Sequence, residues 1–277
     1  MNGFLGTYLI LRESYRAFED DDGVAMAGYI AFSMLLAIFP FMIFAVTLTG
    51  ILLGQDQSQA AVDALFRFAP AHIAQTLEPV LSEVLQDRGQ GVLTLSFLVT
   101  LWLASNAVEA FRVAFDRAYN VEESRHFIWR RAIAIGFVLL GAIVAVILGI
   151  CVLFAPLLLQ MAERWFDVHI PGSTAAVSFL LGLAVFALFL TMMHRFLPGK
   201  SMKGSRLWPG ILLSIVLWLF GALGFSTYIS MTPTYAITYG TLAGVMVTLI
   251  FFYLSGVAVI IGAEVNAVLN RAAKTLS

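Results

Sequence analysis

The sequence predicts an all-α, polytopic membrane protein: a bundle of six transmembrane helices with an amphipathic N-terminal helix and short extracytoplasmic helices. Three observations carry this prediction. Of 277 residues, 60% are hydrophobic and 12% charged, about half the charge of a soluble domain and too little to cover a water-facing surface. The apolar residues collect into runs of about 18 or more, the length that crosses a hydrocarbon core of about 30 Å. The basic residues between the runs fall on one side of the implied membrane.

The spans are predicted over about Ala25 to Leu53, Val92 to Phe111, Ala132 to Leu159, Thr174 to Phe196, Leu207 to Ile229 and Gly240 to Leu269. Helices pair every backbone group internally, which lipid demands. The third and sixth runs exceed the roughly 20 residues that a crossing needs, so they can tilt or project beyond the lipid. The segments between spans are short, so residues 1–277 form a single membrane domain.

Lysine and arginine set the expected orientation. Arg112, Arg117, Arg125, Arg130 and Arg131 follow span two, and Arg195, Lys200, Lys203 and Arg206 follow span four. Arg12 and Arg16 precede span one, while Arg271 and Lys274 follow span six. By the positive-inside rule both termini are cytoplasmic. Asp20, Asp21 and Asp22 run against the bias. They suit the amides at a helix N-terminus, and a cation-attracting mouth is the alternative.

Ahead of those aspartates, Phe4, Tyr8, Leu11, Tyr15 and Phe18 recur at helical spacing. The stripe predicts an amphipathic helix lying on the inner leaflet, with Arg12 and Arg16 beside it. The segment from Gly54 to Gly91 reads as two or three short amphipathic helices around Pro70 and Pro79. They could form a lid over a cavity or a surface for a partner.

Polar residues inside the spans are the candidate functional groups. Glu264 stands in "GVAVIIGAEVNAVLN", with Asn266 two residues on. It lies about 17 Å past the middle of span six at 1.5 Å per residue, near the inner hydrocarbon boundary. Span two brings Ser105, Asn106, Glu109 and Arg112 to that level, and span four brings His194 and Arg195. These residues are expected to form one connected inner layer, with Glu109 and Glu264 facing arginines. Such a layer can lock helices together or line a substrate or proton path. Span one adds Tyr29, Ser33 and Pro40, and span six adds Tyr253. Pro40 frees the carbonyl of Leu36 and permits a kink. Spacings of four between small residues, as at Gly141 and Ala145, permit close helix packing.

Signals for an enzyme are poor. The four histidines are scattered, and the sequence contains no HExxH, paired-cysteine or Walker motif. Its one cysteine, Cys151, stands in an apolar run and reads as a small hydrophobe. No catalytic, cofactor-binding or metal site is expected.

Four stretches carry a family likeness: "AGYIAFSMLLAIFPF", "LWLASNAVEAFRVAFDRAYN", "HRFLPG" and "YGTLAGVMVTLIFFYLSGVAVIIGAEVNAVL". In this order, and with six spans, the chain resembles the YihY/BrkB family of bacterial inner-membrane proteins, once mislabelled ribonuclease BN. The resemblance maps the family's span-one polar positions to Tyr29 and Ser33, its arginine to Arg112, and its leucine-proline pair to Leu197 and Pro198. Asp116 departs from the pattern, standing where the family commonly has asparagine. The family has no settled biochemistry, and the resemblance implies transport of a small or lipid-like solute. The alternative is a scaffold or envelope assembly partner that transports nothing. Expected partners are membrane lipids, such a solute, and a second copy or another membrane protein; nucleic acid is not expected.

Overall fold

The structure is a computed structural model and describes residues 3–53, 90–166, 173–200, 202, 205–231 and 242–275. Among these residues there are seven helices and no strand. Helix α1 spans Gly3–Asp20, α2 Gly23–Leu53, α3 Gln90–Ala118, α4 Phe127–Phe166, α5 Ser173–Phe196, α6 Trp208–Met231 and α7 Leu242–Thr275. Helices α2 to α7 are each long and apolar enough to cross a membrane. The short helices expected within 54–91 fall outside the described residues, apart from the start of α3.

Helices α4 and α7 run on past the expected Leu159 and Leu269 to Phe166 and Thr275, and two further boundaries differ because charge was read as the end of a span. Helix α3 continues seven residues past Phe111 to Ala118, through Arg112 and Asp116. Helix α4 begins at Phe127, ahead of Arg130 and Arg131. Charged side chains that pair within the bundle need not end a helix. Proline 40 sits inside α2, which runs on to Leu53.

Each helix from α2 to α6 packs against its successor, and α7 returns against α2. The six therefore close a ring, and α7 also reaches across to α3. Helix α1 lies mainly against α7. Up-and-down connections gather one set of helix ends: the starts of α2, α4 and α6 and the finishes of α3, α5 and α7. This charged end holds two clusters of buried apolar side chains. Phe115, Leu190, Met193, Ile211 and Val259 fill one, and Phe18, Ile30, Ala110 and Ile260 fill the other.

The predicted stripe on α1 divides. Phe18 is buried in the bundle, whereas Tyr8, Leu11 and Tyr15 remain exposed. Ser14 is buried one turn before Phe18 and returns its hydroxyl to the Ile10 carbonyl at 2.8 Å. The exposed apolar face suits an interfacial helix. In the turn to α2, Asp22 adopts φ 57° and presents its carboxylate to Arg117 Nη1 at 2.8 Å. That aspartate's partner is thus an arginine on α3, in place of the capping amides expected.

Candidate functional site: a polar layer at the charged end

Helix spacing of three and four places Glu109, Arg112 and Asp116 on one face of α3. Arg112 is buried and pairs with Asp116, with Glu109 Oε1 at 2.7 Å and with Glu123 Oε2 at 3.1 Å. Glu109 also lies 3.7 Å from Arg130 Nη1. Its predicted arginine partners are therefore present. A buried guanidinium is tolerated because carboxylates surround it.

The network continues away from α3. Glu123 takes Arg125 in a fork, with Nε at 2.9 Å from Oε1 and Nη2 at 2.7 Å from Oε2. Burial works to raise the Glu123 pKa, but bonds from Arg125 and the charges of Arg125 and Arg112 outweigh it and hold it at about 2. Arg125 Nη2 donates to the Leu197 carbonyl at 2.8 Å, and Gly199 N donates to Asp116 Oδ1 at 2.6 Å. The segment after α3 is thereby fastened to the turn after α5. Asp116 uses one oxygen for Arg112 and the other for Gly199, which gives a carboxylate two uses at this position.

A third arginine ties α4 to α3. Arg131 Nη1 donates to Asn106 Oδ1 at 2.8 Å, and its guanidinium carbon lies 3.6 Å from the centre of the Trp102 ring. Cation–π attraction adds to that hydrogen bond. Ser105, the residue before Asn106, is fully buried and bonds back to the Trp102 carbonyl at 2.7 Å.

Glu264 differs from this expectation. Its side chain is fully buried, yet neither carboxylate oxygen has a hydrogen-bond partner among the described residues. The charged groups near enough to act on it are Asp21, from the turn between α1 and α2, whose carboxyl could bond Glu264 only with a proton between them, and Arg271, two turns along α7 itself. Among the described residues no arginine from an adjacent helix meets it, contrary to expectation. The reason is topological, because α7 packs against α1, α2, α3 and α6. The inward arginine of α3 is already committed to three other carboxylates, and α6 contains no ionisable residue at this end.

His194 and Asn266 are also fully buried. His194 stacks on Phe115, with ring centres 4.5 Å apart, and its Nδ1 lies 2.7 Å from the Tyr119 hydroxyl. Burial pushes the Tyr119 pKa up, the nearby Asn266 amide opposes the rise, and the charge of Glu264 adds to it. The phenol therefore keeps its proton and donates it to Nδ1. The imidazole proton then sits on Nε2, which has no partner. Asn266 Oδ1 accepts Gly210 N at 2.8 Å, while its Nδ2 has no partner.

That Asn266 bond needs α6 and α7 to touch. A Cβ built on Gly210 would overlap the Gly262 carbonyl and the Asn266 side chain, and one on Gly262 would overlap Ser214. The two glycines let backbone meet backbone, as small residues do at membrane helix contacts.

The remaining predicted residues scatter. Ser33 is buried in α2, and Tyr253 packs against the cluster formed by α1, α2, α3 and α7. Tyr29 is 46% exposed, on a face of α2 with Phe32 and Leu36. Arg195 is exposed and does not join the layer, because it points about a quarter-turn away from buried His194. Sequence reasoning missed Tyr119, Glu123, Arg125 and Gly210. The charge density of "RAYNVEESRHF" was the available signal for the first three. No group of three or more His, Cys, Asp or Glu residues is placed to hold a metal ion among the described residues.

Six apolar helices in a closed ring, with a charged layer at one end, define a polytopic α-helical membrane protein. The chain belongs to the YihY/BrkB family: the family described as "Virulence factor BrkB" matches residues 14–277. It is similar to the "Putative ribonuclease-like protein YfkH" of Bacillus subtilis, 28% identical over 271 residues, 95% of this chain and 96% of that protein. It is 26% identical over 261 residues to a "UPF0761 membrane protein" of Coxiella burnetii, covering 92% of this chain and 91% of the relative. A UPF0761 membrane protein of Pseudoalteromonas translucida is 24% identical over 258 residues, covering 91% and 82% of the two chains. No solved structure matches the chain.

Proposed function

We propose that this protein is a multi-pass inner-membrane transporter or lipid-handling protein for a small or lipid-like solute, with both termini in the cytoplasm. The supporting observation is a set of fully buried polar side chains on α5 and α7 with hydrogen-bonding capacity left over: both oxygens of Glu264, Nδ2 of Asn266 and Nε2 of His194. Polar groups in membrane helices without such partners are costly to keep for packing alone. Ser33, buried in α2, and Tyr253 on α7 are the polar residues that this reading would use further from the charged end. The exposed side chains of Tyr8, Leu11 and Tyr15 on α1 support lipid contact at the same end.

The test is cysteine labelling in a Cys151→Ser background, with single cysteines at Ser33, Ser105 and Glu264. Membrane-impermeant thiol reagents added from either side should reach at least one of them in a condition-dependent way. If all three stay sealed from both sides in every condition, the transport reading fails.

A scaffold is favoured by a different observation, the Arg112–Glu123–Arg125 network that fastens α3 to the turn after α5. In this reading the bundle is locked, and a second copy or another membrane protein binds it. The same labelling separates the two.

A further inference from the structure

We infer that Glu264 is the anionic centre of a buried site for one small monovalent cation, a proton or a sodium ion, entered from the charged end past Asp21. The inference deepens the transport reading, which it uses for a wet route to the site; the binding itself is tested without transport.

Three observations converge. The Glu264 side chain is fully buried and both of its oxygens are unpartnered. A bare carboxylate sealed from water is among the most costly groups that a fold can hold, and it is met by a cation or neutralised. Second, the nearby acidic group is Asp21, which is half-buried and opens toward the surface. Two carboxylates that share a low-dielectric region repel unless a positive charge lies with them. Third, polar side chains lie beside this stretch of α7. Ser214 Oγ, from α6, is buried next to Gly262 and has no partner, and the Tyr119 hydroxyl, bonded to His194, lies within electrostatic reach of Glu264.

The ionisable groups around the site come from each packed element. Asp21 comes from the α1–α2 turn, Tyr119 from the segment after α3 and Arg271 from α7 itself, while His194 of α5 is linked to the site through Tyr119. Asp22, also on the turn, is committed to Arg117, and Arg112 to its three acids. Helix α6 supplies Ser214 and no charged residue. Histidine 194 already gives Nδ1 to Tyr119, which leaves the carboxyl as the group that needs a counter-charge.

The proton and the sodium ion meet the same need, and two readouts on purified protein in phosphatidylglycerol–phosphatidylcholine nanodiscs tell them apart. Melting temperature is followed against NaCl, with choline chloride at equal ionic strength as the control. Infrared difference spectra are taken for the carbonyl stretch of a protonated carboxyl and its downshift in D₂O. Sodium binding raises the melting temperature with Na⁺ alone, and E264Q abolishes that rise. Proton binding gives a D₂O-sensitive carboxyl band that is absent from E264Q and retained in E109Q. Should E264Q fail to fold, ¹³C-carboxyl labelling of glutamate in the wild type assigns the band, and Asp21→Asn should weaken the sodium response. A wild type with neither a sodium-specific shift nor a protonated carboxyl band overturns the inference. Sealed cysteines together with ion binding would sink the transport reading alone.

Discussion

Asp116 on α3 accepts the backbone amide of Gly199, 83 residues later, while its other oxygen pairs with Arg112. One carboxylate therefore joins an ion network to the turn that ends α5. An asparagine here retains an acceptor for Gly199 and loses the charge opposite Arg112. Asp116→Asn is expected to lower stability modestly, since Glu109 and Glu123 still face Arg112. Asp116→Ala removes both bonds and should cost about 3 kcal/mol. Thermal unfolding of the two variants in one detergent checks the order, and equal losses would contradict the double role.

Acid should weaken the same network through Glu123. Its folded-state pKa of about 2 lies below the ordinary 4.5. The associated stability is thus fully present above pH 4.5 and lost as pH falls through about 2. Wild type should be more stable than Glu123→Gln at neutral pH, and the gap should close across that window. A gap independent of pH would show that the ionised form matters little.

Tyr119 and His194 should behave as a coupled pair. Tyr119→Phe strands a buried Nδ1, which costs about 1–3 kcal/mol. Adding His194→Phe removes both polar ends and keeps an aromatic ring against Phe115. The double variant should therefore lose less than the two single losses combined. Simple additivity in melting experiments would argue against the bond.

Close contact between α6 and α7 predicts a sharp contrast among glycines. Gly210→Ala and Gly262→Ala place a methyl group into the opposing helix. Such overpacking costs about 1–3 kcal/mol, and more where backbone is the obstacle. Gly136→Ala and Gly221→Ala meet nothing within 4 Å and should be neutral. Expression and melting temperature of the four variants decide this.

The six spans were legible because apolar run length is a property of consecutive residues, and every predicted span has its helix. The polar layer was legible only by depth. Spacing along α3 placed Glu109 and Arg112 together correctly, since both lie on one helix. It could not assign a partner to Glu264, which depends on which helices flank α7. Nor could it separate adjacent His194 and Arg195, one buried and one exposed. Tyr119 went unnoticed because it lies past the apolar run, where a tyrosine resembles an interface residue. The contact at Gly210 and Gly262 has no short-range signature, since the two residues come from different helices.

The most direct test of the account is a structure in lipid nanodiscs that resolves ions and acyl chains. It should show no arginine bonded to the Glu264 carboxyl and a polar route from the charged end past Asp21, with any counter-charge lying beside the side chain. An arginine from a neighbouring helix bonded to Glu264, in a bundle filled by side chains from end to end, would contradict it.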